Sequence, residues 1–402
     1  MLQVRFGKIV FLVVALAAVG QFANTVYVPA ISMIAHELNI TAEHAQLLMT
    51  AYLLPYGCTQ FIYGPLSDLY GRRPMVLIGL SIFLVGSLLT VLAHGFTLLL
   101  SGCLIQGTGA GVAGVMARTV MRDCYQGHQL YRANSVIAFA LIFAPLFAPL
   151  IGGVLSVYFG WRSDFIFLFL LSSMVLVLEY YLFPETHLSA TSTKGTNLNS
   201  ILQRYLTVFR HPTFNGYLLC MALSYAGIAV FEAAASVLMT QILHFPPKMV
   251  SVLFIAPIPG YLLGAYFASY INLYLSLQQV LKLSLGIITV SVLTLAIPAF
   301  LHVLNVVVIL VPISLYLFGT GLLFPTAMTA ALDPLGEVAG TAGAILGGGQ
   351  NLAAALMVAL FTLIPQTTQR PLALMLSVCC ALLLITYTFW LKPSFTDPDI
   401  NE

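Results

Sequence analysis

Glu232 is the residue of this chain best suited to carry a proton. It stands near the middle of an apolar run over 213–240, whereas most of the thirteen acidic residues fall in polar stretches or at the ends of such runs. An ionised side chain at the centre of a bilayer costs roughly 2.5–3.5 kcal/mol on insertion scales. Lipid therefore favours the neutral carboxyl, and a change in hydration lets such a group load or release its proton. The alternative is a permanently neutral acid bonded to a neighbouring helix. Glu179 is a weaker candidate: it lies within one or two turns of the end of its run and is expected to snorkel. A second group of residues could bind cargo. Gln21 and Asn24 share one helical face, and Tyr52, Tyr56, Gln60 and Tyr63 recur at steps of four, four and three. In a helix solvated by lipid, such a face must point at a cavity or a partner helix. Tyrosine offers flat apolar surface, a hydroxyl and attraction for cations, which suits lipophilic or cationic molecules. Tyr225 is expected to share the cavity, and bonding between helices is the alternative for the whole set.

Other chemistries lack their residues. His36-Glu37 is not followed by a second His at zinc-protease spacing, and no metal site is expected. There is no Gly-rich loop ending in Gly-Lys-Ser or Gly-Lys-Thr, so ATP hydrolysis is not encoded. No cofactor is implied, and the energy source should be an ion gradient. An enzyme embedded in the membrane would need Asp, His or Cys clustered at one depth, and the eight His fall in loops or near run ends. No basic run suggests nucleic acid. Cys58, Cys103, Cys124, Cys220, Cys379 and Cys380 are expected as small buried groups rather than a disulfide framework.

The elements that must position these residues follow from hydrophobicity. Of 402 residues 60% are hydrophobic and 7% charged, against roughly 25% charged in a soluble domain. The solvent of this surface must be lipid, and each crossing helix needs about 20 apolar residues. Runs of that kind occur near 8–28, 47–66, 75–93, 97–117, 133–155, 164–183, 213–240, 249–270, 280–300, 303–324, 338–362 and 371–391. The first run has no small-residue cleavage site and reads as a retained span. Twelve spans predict an all-α membrane protein with a six-helix half over 1–183, a cytoplasmic linker over 184–212 and a second half over 213–402. With the N-terminus inside, only Arg162, Lys248 and Arg370 of the fifteen Lys and Arg lie outside, so both termini are expected in the cytoplasm. The linker holds Ser189, Thr191, Ser192, Thr193, Lys194, Gly195 and Thr196, a flexible composition.

Three segments carry a family signature. Between the second and third spans stands Gly64-Pro65-Leu66-Ser67-Asp68-Leu69-Tyr70-Gly71-Arg72-Arg73. Physically it is a latch: Asp68 can pair with a loop Arg or cap a neighbouring helix start, holding one conformation shut. In the fifth span, Pro145 and Ala148-Pro149-Leu150-Ile151-Gly152-Gly153 combine helix-kinking prolines with small residues that allow close packing. In the fourth stands Gln106-Gly107-Thr108-Gly109. Together these resemble the major facilitator superfamily, and in particular its drug:proton antiporter group. Leu69 stands where that family has a basic residue, and Cys103 and Thr25 stand where exporters carry Arg and Asp. The resemblance implies parallel six-helix repeats around a midplane site, and a monomer exporting amphipathic drugs in exchange for protons across a bacterial inner membrane. It implies that Gly64, Asp68, Gly71, Arg72 and Arg73 form the latch, and that Pro145, Ala148, Pro149, Gly152 and Gly153 seal against leak. An uptake symporter is the rival within the same fold.

Overall fold

The computed structural model describes residues 6–186 and 198–392, and they are almost entirely helical. In chain order the helices are α1 (Phe6–Thr25), α2 (Ile31–Glu37), α3 (Ala42–Tyr70), α4 (Arg72–Val91), α5 (Phe96–Cys124), α6 (Gly127–Phe159), α7 (Arg162–Leu182), α8 (Leu198–Phe209), α9 (Pro212–Val237), α10 (Pro247–Ile255), α11 (Ile258–Ile271), α12 (Leu277–Phe300), α13 (Val306–Leu332), α14 (Ala339–Thr362) and α15 (Arg370–Thr386). Local chemistry sets the breaks. Pro29 opens a short 3-10 turn between α1 and α2. Thr41 caps α3 by accepting the His44 N–H, and Gly71 ends that helix at φ +96°. Ser276 and Gln279 form a reciprocal capping box at the start of α12.

Ten segments are long and apolar enough to cross a membrane by length and composition, with α1–α2 and α10–α11 each making one. The remaining two spans are α3, with 29 residues, and α6, with 33. α3 falls outside the ten because Gln46, Thr50, Thr59, Gln60 and its tyrosines dilute its apolar surface. α3, α5 and α6 run well past the apolar stretches expected for them, because polar helical turns project beyond the hydrocarbon where hydropathy gives no signal. Outward faces carry Phe11, Ile78, Val85, Leu170, Val290 and Leu356, each about half exposed, as a lipid-facing surface requires.

The spans form two bundles. α1 and α3–α7 pack on one another, as do α9 and α11–α15; α14 lies against α3, and α10 against α6, where the bundles meet. Gly57 and Gly348 let the α3 and α14 backbones touch, since a Cβ on either would overlap the opposite chain. One end of the molecule holds Gly71, Arg72, Arg122 and Arg204 and is called the basic end; the other, holding Asn39, Gly95 and Gly160, is the far end.

Within 184–212 the described residues hold the helix α8. It packs on α9 and α14 through buried Val208 and half-buried Tyr205, while Leu202, Leu206 and Phe209 form an exposed apolar face. The Ser189–Thr196 stretch lies outside the described residues.

Candidate functional site

Glu232 sits in the second half of α9, five residues before its end, at the junction of the bundles. Its Oε2 is sealed from solvent and has no hydrogen-bond partner among the described residues, while the side chain as a whole keeps part of its surface open. The phenols of Tyr27 and Tyr225 lie within electrostatic reach of this carboxyl. Tyr27 is held by stacking on Phe165, 5.4 Å between ring centres, and its hydroxyl is buried without a partner. Asn24 Nδ2 donates to Tyr225 Oη at 3.3 Å across the bundles, and Asn24 Oδ1 is left unpaired. Tyr261 of α11 and Tyr56 and Tyr52 of α3 lie within electrostatic reach of Tyr225, Cys103 of α5 within reach of Tyr27, and the Arg118 guanidinium within reach of Tyr56. Five spans thus bring one acid, several phenols, an amide and a guanidinium together in an apolar surround. Such a set can hold and release a proton and offer aromatic faces to a cation.

The expected cargo residues divide. Asn24, Tyr56 and Tyr225 belong to this cluster, and Gln21, half-buried, stands one turn from Asn24 on α1. Tyr52 does not face open space: it is fully buried and donates its hydroxyl to the Gly20 carbonyl at 2.7 Å, tying α3 to α1. Gln60 is wedged between Gly114 and Gly347, where it fills the α3–α5–α14 junction. Glu179 corrects its snorkelling expectation. It is fully buried with neither carboxyl oxygen hydrogen-bonded among the described residues, on the α7 stripe of Asp164, Phe165, Leu168, Ser172 and Val175 that faces the bundle interior. Asp164, which the sequence placed among ordinary span-end acids, is likewise buried, with no hydrogen-bond partner among the described residues.

At the basic end, Arg72 is the hub. Its Nη1 donates to Asp68 at 2.5 Å and to Ser67 at 2.6 Å, and its Nε donates to Asp123 at 2.8 Å. All of these bonds stay within the first bundle. Asp68 does not cap a helix start; Glu185 does, accepting the Arg72 and Arg73 backbone N–H groups at 2.9 and 3.1 Å at the start of α4. Gly71 is required twice, by its positive φ and because a Cβ would press on the Glu185 carboxylate. Gly64 meets no such crowding. Arg73 donates to the Tyr180 carbonyl at 2.7 Å. A cleft of about 290 Å³ separates Asp68, Arg72 and Asp123 from Gly340 and Thr341 at the start of α14, with Arg204 and Tyr205 of α8 on its rim. Tyr205 donates to the Phe61 carbonyl at 2.8 Å, and Arg118 donates to the Gly343 carbonyl at 2.7 Å, joining α5 to α14.

α6 continues through its prolines. Ala148 is fully buried; a Cβ on Gly152 would overlap the Val26 carbonyl of the α1 span, and one on Gly153 the Ser251 hydroxyl of α10. The segment thus lies where α6 crosses both bundles. The Pro145 side chain lies outside the described residues.

Toward the far end, neutral groups join the bundles. Gln46 donates to the Ala233 carbonyl and to Gln366, each at 2.8 Å. Ser32 bonds Thr240 at 2.7 Å and Ser236 at 3.2 Å, and Ser236 donates to the Pro29 carbonyl at 3.0 Å. Gln46, Gln366, Ser32, Ser236 and Thr240 stand in no motif, and only their approach in space reveals them.

The model of the Major Facilitator Superfamily matches residues 10–358. The chain is 40% identical over 384 residues to Multidrug resistance protein D of Escherichia coli, covering 95% of each. It is 23% identical to the Bicyclomycin resistance protein homolog of Haemophilus influenzae, over 93% of this chain and 94% of that one. It is 27% identical to a Chloramphenicol resistance protein of Pseudomonas aeruginosa, over 86% and 81%. In structure it matches the xylose transporter XylE of E. coli with a TM-score of 0.74 at 14% identity, over 96% of this chain and 97% of that one. With a family model spanning most of its length, and its helices superposable on those of a transporter of that fold, the chain belongs to the major facilitator superfamily.

Proposed function

We propose that this chain is a proton-coupled exporter of amphipathic, lipophilic cations in a bacterial inner membrane, with the basic end and both termini in the cytoplasm. The observation that carries the reading is Glu232: a carboxyl between two bundles, half sealed, unpartnered and surrounded by phenols. The resistance-protein relatives support export over uptake, since a membrane carrier confers resistance most directly by removing the compound. The excess of Lys and Arg supports the orientation.

The scheme is alternating access, with residues 1–183 and 213–402 moving as two halves on either side of the 184–212 linker. Cargo enters from the cytoplasm or the inner leaflet and lies among Gln21, Asn24, Tyr56 and Tyr225 while Glu232 is ionised. The cation and the carboxylate satisfy each other in a medium where either alone is costly. After the halves rock, Glu232 takes a proton from outside, the attraction is lost and the cargo leaves. Return to the inward-open form and loss of the proton to the cytoplasm completes one exchange. Asp68, Arg72 and Asp123 keep the basic end of the first half rigid during that motion. The energy comes from the proton gradient. The protein acts as a monomer, since each chain contains both halves.

The test uses inverted membrane vesicles with an imposed pH gradient. Glu232→Gln is expected to reduce gradient-driven drug uptake into the vesicles to background while leaving the protein folded; undiminished uptake refutes the reading. A gradient that drives drug in the opposite direction identifies an uptake carrier.

A further inference from the structure

We infer that Gln46 is a positioning residue that ties closure of the far end to the turn of α9 bearing Glu232, with Gln366 as its partner on the other bundle. This rests on the proposed exchange at Glu232. A primary amide has two N–H donors and one carbonyl, and Gln46 commits both kinds of group. Its Nε2 donates to the carbonyl of Ala233, the residue next to Glu232, and to Gln366 Oε1, while Gln366 Nε2 returns a bond to Gln46 Oε1 at 2.5 Å. The Gln366 backbone N–H is in turn held by Glu43 Oε1 at 3.2 Å. Gln46 is fully buried and Gln366 nearly so. Buried amides are costly when unpaired, so parting the bundles here breaks several satisfied bonds at once.

The tie belongs to a stripe. Ala233 and Ser236 lie three residues apart on one face of α9, Thr240 follows in the π-helical turn Leu238–Ile242 that continues it, and each bonds the first bundle, Ala233 through Gln46 and the other two through Ser32. Glu232 precedes the stripe by one residue, about 100° around the helix, facing Tyr27 and Tyr225. A shift of that turn as the carboxyl exchanges proton for cargo necessarily moves the Ala233 carbonyl. Gln46 is the side chain that feels it, and the far end opens when the stripe lets go.

The experiment places a reporter, Ala229→Cys, one turn deeper on the same buried face, in a full-length chain whose six native cysteines are replaced. A membrane-impermeant thiol reagent is applied to intact cells. Gln46→Leu or Gln366→Leu should speed labelling about tenfold, the loss expected for one or two buried hydrogen bonds; an unchanged rate overturns the proposal. Glu232→Gln should change the labelling rate when Gln46 is present and have no further effect in Gln46→Leu. Equal effects in both backgrounds refute the tie, whereas full export by Glu232→Gln vesicles refutes the exchange scheme. Because leucine substitutions can impair folding, a Gln46→Cys/Gln366→Cys pair joined by a short reducible cross-linker provides the second arm. Export should stop when the bridge forms and return on reduction; continued export through the bridged protein overturns the proposal.

Discussion

At the scale of single residues, the site separates groups held by the protein from groups left free for the proposed cargo. Tyr52 and Tyr225 illustrate this. The Tyr52 hydroxyl is spent on the Gly20 carbonyl, while Tyr225 meets only the edge of Asn24 and adjoins Glu232. Tyr52→Phe should therefore lower thermal stability of the purified protein, by about 1 kcal/mol for a buried hydrogen bond, and leave the resistance profile in place. Tyr225→Phe or Tyr225→Ala should alter which compounds are exported, read as changed growth inhibition across a drug panel. A profile equally altered by Tyr52→Phe would place both rings in the binding surface. The sequence could pick out the tyrosine stripe on α3 by its period. It could not separate members facing the bundle junction from members facing α1, because that depends on helix rotation and on a partner 32 residues away. Glu232 was legible for a different reason: depth in an apolar run is a one-dimensional property. Glu179 and Asp164 were not, since burial near a span end is decided by which way α7 turns, and both turn inward.

At the scale of elements, two features make specific demands. α6 crosses α1 and α10 with no room for side chains at Gly152 and Gly153. Gly152→Ala should cost about 1–3 kcal/mol through overpacking, seen as reduced yield or a lower unfolding temperature. Gly153→Ala presses on α10 of the other bundle and should reduce transport more than stability. α8 makes the second demand. Its Tyr205 links the linker to α3, and burial together with the Asp68 carboxylate pushes that phenol up to about 12 from an ordinary value of 10.0. Because the neutral donor is the bonded form, the stabilisation is complete below pH 10 and is lost as the pH rises through about 12. Tyr205→Phe should therefore increase proteolytic nicking of the linker in membranes at neutral pH, and the difference from the parent should shrink only in strong alkali. The spans of this fold were legible because lipid imposes length and composition on each. α8 was overlooked because its polar neighbours hid a short amphipathic repeat.

At the scale of the whole molecule, the pairing of the two bundles was beyond the sequence. The Gln46–Gln366 bond joins positions 320 residues apart, and neither residue stands in a motif. The proposed orientation, in contrast, rests on counting charges. A tag at either terminus should be reached by protease only from the cytoplasmic side, and digestion of an N-terminal tag in intact cells would reverse the topology. The bonds that join the bundles also share a chemical character. Each ion pair of Asp68, Arg72, Asp123, Glu37 and Arg162 stays inside the first bundle. The hydrogen bonds between bundles run from amides, hydroxyls and one guanidinium to acceptors that are neutral, or, for Glu43, to a charged acceptor from a neutral donor. Mobile ions screen charge pairs within about 10 Å at 0.1 M salt but have little grip on neutral partners. Among the described residues none of these ion pairs joins the two bundles, so the bonds that the seam makes and breaks should weaken only slightly as the ionic strength around the cell rises.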